Sequence, residues 1–200
     1  MDKKKRAVKA LKLLFIGELV ISVGLLGELY LLYEPLSMIA LVSIVGTIIA
    51  LVGIAKLGRV NKFFLTACIV ITASLVIGVT SGILTVVGLS PEAINAIKDF
   101  NNIIGKLFSF VFIFCVIRGC SKAATGSARS KIATAMTLVN FFGKGIAIIF
   151  TILQSIFDSE DAQLASVFSI VSTVASMFVQ VYFVYYIFTA YRKAKALLKN

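Results

Sequence analysis

Long uninterrupted apolar runs, separated by short polar segments, dominate this chain of 200 residues. A bilayer core of about 30 Å takes about 20 apolar residues at a helical rise of about 1.5 Å. Runs of that scale predict six membrane-crossing helices, over about 13–33, 36–55, 63–89, 103–117, 132–157 and 162–191. The fourth is the shortest. The expected fold class is therefore all-α, a polytopic transmembrane helical bundle forming one membrane domain over 1–200.

The punctuation agrees with this division. Pro35 marks the first turn. Ser90-Pro91-Glu92 reads as a helix start, with Ser as N-cap, Pro at the first helical position and an acid in the first turn. Ile94, Ile97 and Phe100 then fall roughly on one side, which predicts a short interfacial helix over 91–100 ahead of the fourth span. Arg118, Lys122, Arg129 and Lys131, with Ala, Gly and Ser between them, predict a flexible basic loop. Asp158, Ser159, Glu160 and Asp161 form an acidic turn suited to the N-terminus of the sixth helix.

Charge placement orients the helices. Of twenty Lys and Arg, all but Lys98, Lys106 and Lys144 fall at the N-terminus, in two alternate loops or in the tail. Six of the nine acids fall in the opposite loops. Lys and Arg accumulate on the cytoplasmic side of membrane proteins, so both termini are expected there. The localisation implied is an integral protein of a bacterial cytoplasmic membrane, its basic loops facing anionic lipid. Tyr30 and Tyr33 at one interface, and Tyr185, Tyr186 and Tyr191 at the other, read as belt anchors. The first basic stretch resembles the start of a signal peptide, but its apolar run is too long and no A-x-A site follows, so a retained span is expected.

Composition removes several chemistries. The chain is 60% hydrophobic and 14% charged, with a mean hydropathy of +1.02. Its net charge of +11 is spread over loops and forms no basic groove on a folded module, so no nucleic-acid partner is expected. There is no His, and Cys68, Cys115 and Cys120 show no C-x-x-C spacing, so neither a metal site nor a cofactor is expected. No Gly-rich phosphate loop or nucleophile elbow occurs, and the chain does not read as an enzyme.

Ionisable residues within apolar runs are then the functional pointers, because a charge in lipid costs about 2.5–3.5 kcal/mol and normally turns inward. Glu18, Glu28, Lys106 and Lys144 qualify. By rise per residue, Glu28 lies about 9 Å and Lys106 about 7 Å below the outer face, which makes them the best depth match. Thr137, Lys144 and Thr151 repeat every seven residues, with Asn140 beside them; Ser166, Thr173 and Gln180 repeat likewise. Ser74, Gly78, Ser81 and Thr85 form a small-residue ridge, and Ser43, Gly46, Ala50 and Gly53 another. Seven-residue spacing keeps each row on one face, expected to look inward. Small residues so spaced are the usual means of close helix packing, whereas Asn140, Lys144 and Gln180 exceed what spacing alone needs.

The reading is a small transporter or channel subunit. Glu18, Glu28, Lys106, Asn140, Lys144 and Gln180 are its candidate binding residues for a small ion or solute. A homo-oligomer or a larger transport complex would be its assembly. The alternative is a non-transporting membrane partner, assembly or immunity protein in which the same charges are structural.

Overall fold

A computed structural model of the protein describes residues 2–30, 37–87, 90–123, 127–157 and 161–197, with side chains at 4–24, 42–84, 87, 90, 92–122, 131–157 and 161–197. Every element is helical: α1 (Asp2–Tyr30), α2 (Ser37–Gly58), α3 (Lys62–Val86), α4 (Pro91–Ala123), α5 (Ser127–Phe157) and α6 (Ala162–Ala196). Each helix packs on the next in chain order, and α6 closes back onto α1, so the six form a ring. Among the described residues four stretches are long and apolar enough to cross a membrane: Lys62–Leu84, Glu92–Lys122, Lys131–Phe157 and Ala162–Ala196. Val42–Gly58 of α2 is a shorter apolar stretch. A chain with such helices is a membrane protein.

Two sequence-based boundaries change. The expected interfacial helix over 91–100 and the short fourth span are one continuous helix, α4, of 33 residues. Asn101 and Asn102 do not break it, because neither removes a backbone donor, and Asn101 Oδ1 is held from α3 by the Ser81 hydroxyl at 3.0 Å. Ser90 caps the helix as its sequence implies, with Ala93 N donating to Ser90 Oγ at 3.3 Å. The expected flexible loop around Arg118 to Lys131 is also mostly helix, since α4 runs to Ala123 and α5 begins at Ser127. Its Ala and Ser residues allow helix, and nothing in it forbids one.

Close crossing of α1 and α2 follows from their small residues. A Cβ added at Gly17 would strike the backbone of Ala50, one at Gly53 would lie 2.6 Å from Leu14 N, and one at Gly46 would lie 2.8 Å from Ile21 N. Only glycine permits that approach, as the second ridge implies. The ridge on α3 behaves otherwise. A Cβ added at Gly78 or Gly82 would have no heavy atom within 4 Å, so neither position needs glycine for a close helix approach.

The core lies toward the end where the N-termini of α1, α3 and α5 meet the C-termini of α2, α4 and α6. Leu14, Ile54, Ile113, Ile117, Phe183 and Ile187 are all buried there. Phe112 and Phe183 meet edge to face at 5.9 Å. Asn61 ties this end together. Its Oδ1 accepts from Phe63 N and Phe64 N at the start of α3, while its Nδ2 donates to Gly119 O of α4 at 3.0 Å. Tyr186 belongs to this core and is no belt anchor: it is buried, and its hydroxyl donates to Ile117 O at 3.3 Å. One residue along the helix turns a side chain by about 100°, and Tyr185 next to it is exposed.

Candidate functional site

Above that core, polar side chains from α1, α4, α5 and α6 converge on the inside of the ring. Glu18 of α1 is only 3% exposed, and its Oε2 accepts a hydrogen bond of 2.8 Å from Gln180 Nε2 of α6. Its other oxygen, Oε1, is buried and accepts from no donor among the described residues. Asn140 of α5 is fully buried; its Nδ2 donates to Phe110 O of α4 at 3.1 Å, and its Oδ1 is likewise left without a donor. Ser176 Oγ of α6 and Ser43 Oγ of α2 are the other two buried side-chain oxygens that make no hydrogen bond among the described residues.

Lys144 stands on the same face of α5 as Asn140, one turn further along, and is 5% exposed. Its charge couples to that of Glu18 and to that of Lys106. Among the described residues no hydrogen bond ends on its ammonium. Lys106 is placed differently. Its Nζ donates to Thr151 Oγ1 at 2.5 Å, Thr151 Oγ1 lies 2.7 Å from Ser172 Oγ, and Ser172 Oγ donates to Ala147 O at 2.7 Å. One consistent set of donors runs Lys106 to Thr151 to Ser172 to Ala147 O, so each hydroxyl gives its single proton once. That chain joins α4, α5 and α6 and gives the Lys106 ammonium one acceptor for its three donors.

Five of the six sequence candidates therefore lie on the inside of the ring. Glu18, Gln180, Asn140 and Lys144 form one cluster, with Lys106 beside it in its own hydrogen-bonded chain. The sixth, Glu28, falls outside the residues whose side chains are described, and with it the expected match of Glu28 to Lys106. The pairing of Glu18 with Gln180 had no signal in the sequence, because 162 positions separate the two. Ser172 and Ser176 were also not distinguishable from other serines of α6.

The α5 row turns inward as expected: Lys144, Thr151 and Asn140 are buried and Thr137 is half-buried. The α6 row is displaced by one residue. Ser166 is exposed and Thr173 half-buried, whereas Ala165, Ser172, Val179 and Tyr186 are buried. Gln180 alone of the expected row is inside, at the edge of the true one. Polarity could not choose between rows about 100° apart, since a helical hydroxyl can satisfy itself on its own backbone while facing outward. Thr72, exposed on α3 and donating to Cys68 O at 2.8 Å, does this.

Compared with protein-family models, with curated proteins and with solved structures, the chain matches none of them.

Proposed function

We propose that this protein is a small multi-pass membrane transporter or channel subunit whose solute site is the cluster of Glu18, Gln180, Asn140 and Lys144. All six helices cross the bilayer in this reading, with both termini at the basic, cytoplasmic end, where anionic lipid faces the loops.

One observation carries the proposal: polar capacity at the buried cluster is left over. A purely structural salt bridge or amide network consumes its donors and acceptors, because an unmade hydrogen bond on a buried group costs about 1–3 kcal/mol. Here Glu18 Oε1 and Asn140 Oδ1 have no donor, and the Lys144 ammonium has no acceptor among the described residues. A small bound molecule with both kinds of group would complete all three. Lys144 and Lys106 stand against the single described carboxylate of Glu18, so a solute carrying a negative group, an anion or a zwitterion, suits the site. Lys106 has a separate part: its hydrogen-bonded chain through Thr151 and Ser172 holds α4, α5 and α6 in register around the cluster.

Liposomes of phosphatidylcholine holding the purified protein test this. Flux is followed after imposing gradients of chloride and of glycine, for the native chain, Lys144→Met and Glu18→Gln. Protein-dependent flux of either probe that falls at least tenfold in both variants supports the reading. Flux equal to that of empty liposomes, or flux untouched by both substitutions, rejects it and favours a non-transporting partner whose charges are structural.

A further inference from the structure

At the basic end of the ring lies a cavity of about 400 Å³. Each helix gives it a wall residue: Leu11, Leu57, Phe64, Cys120, Ile132 and Tyr186, from α1 to α6 in order. Five of these are buried, and Ile132 sits at the rim, 38% exposed. Lys4, exposed, and Lys193, half-buried, also border the cavity. The cavity does not reach the polar cluster. On α1 Leu14, and on α6 Phe183, lie between the two, and both are fully buried.

We infer that this cavity binds a single-chain anionic amphiphile of the fatty-acid class, with its apolar body among the wall residues and its carboxylate at Lys4 and Lys193. The volume falls within the range of about 300–1,000 Å³ usual for small-molecule sites, and mostly apolar walls with a few polar groups are their usual chemistry. A medium acyl chain, a ligand of ordinary small-molecule size, is in keeping with that volume. A helix, about 10–12 Å across with its side chains, does not fit.

Charge complementarity sets the sign of the head group. Among the described residues Asp2 is the one acid at this end, against sixteen Lys and Arg. A carboxylate entering here meets favourable potential from every side, and a cationic head does not. The apolar body has the stronger reason to stay, since burying it removes its surface from water.

Photoreactive diazirine-dodecanoate, added to the protein in phosphatidylcholine nanodiscs, reads out the occupant by mapping adducts with mass spectrometry. The expected result is adducts on the cavity walls that unlabelled dodecanoate removes and dodecyl-trimethylammonium does not. Lys4→Gln with Lys193→Gln should weaken labelling at least fivefold without disturbing the fold. Ala194→Trp, which fills the cavity, should abolish it while gel filtration remains unchanged. Adducts spread over lipid-facing positions such as Ile149 would overturn the inference, as would equal competition by the cationic amphiphile. Cavity labelling by a diazirine phosphatidylglycerol in place of the free acid would also overturn it, in favour of a bilayer lipid. These outcomes do not depend on whether the chain transports anything.

Discussion

Gln180 Nε2 donates a 2.8 Å hydrogen bond to Glu18 Oε2, joining the last helix of the ring to the first across 162 positions of sequence. It joins an amide donor to a buried carboxyl group, and leaving such a buried group unsatisfied costs about 1–3 kcal/mol. It also sits where the ring closes, at the packing of α6 on α1. Removing it therefore strikes both the cluster and the closure.

Gln180→Leu leaves Glu18 buried without its one described hydrogen bond, and is expected to destabilise the protein by about 1–3 kcal/mol. The double variant Glu18→Leu/Gln180→Leu should lie closer to the native chain than Gln180→Leu alone, because no polar group is then stranded. Thermal unfolding in dodecyl maltoside measures both. Strict additivity of the two single changes would show that the pair is not coupled.

Thr151→Val keeps the shape of the side chain and removes the hydroxyl that receives the Lys106 ammonium. The loss strands Lys106 and breaks the link to Ser172, at an expected cost of about 1–3 kcal/mol. Ser172→Ala should cost less, since Thr151 then donates to Ala147 O, 2.8 Å away, and still accepts from Lys106. Equal melting shifts for the two variants would contradict this chain of donors.

Gly17 and Gly78 form a matched contrast. A Cβ at Gly17 collides with the Ala50 backbone, so Gly17→Ala should force α1 and α2 apart, at about 1–3 kcal/mol for overpacking. At Gly78 the added methyl meets open space, and Gly78→Ala should stabilise α3 by up to about 1 kcal/mol through helix propensity. Denaturation midpoints of opposite sign are the expected readout.

Asn61 serves two helices at once, which separates its two roles. Asn61→Ala loses the N-cap of α3 and the bond to Gly119 O, and is expected to cost about 1–2 kcal/mol. Asn61→Asp keeps the capping acceptor and loses only the donor to Gly119, so its melting temperature should fall between the other two. A variant series in which Asp and Ala are equal would assign all the effect to the α4 contact.

The proposed six crossings predict a labelling pattern. In a background with Cys68, Cys115 and Cys120 replaced by Ala, single cysteines at Lys62 and Lys195 should react with a membrane-impermeant maleimide from one side. Those at Ser90 and Asp161 should react from the other. Labelling of all four from the same face would remove the six-span topology.

The apolar runs were enough to announce six helices and their order, because a backbone in lipid must satisfy its own hydrogen bonds and length alone then counts crossings. Caps were legible too: Asp161 accepts from Gln163 N and Leu164 N at 3.0 Å each, as an acid at a helix start should. So was the inward face of α5, where Asn140 and Lys144 are too polar for lipid to take. The α6 row was not, because serine and threonine can bond their own helix and tolerate either face.

What only the tertiary structure decided is which distant residues meet. Depth along a helix constrains one coordinate, and it left Glu18 free to face any neighbour. Closure of α6 onto α1 supplied the missing coordinate and put Gln180 beside it. The same closure gathers six helix ends around the basic cavity, a shape no local pattern encodes, because its wall residues are ordinary core positions of six separate segments.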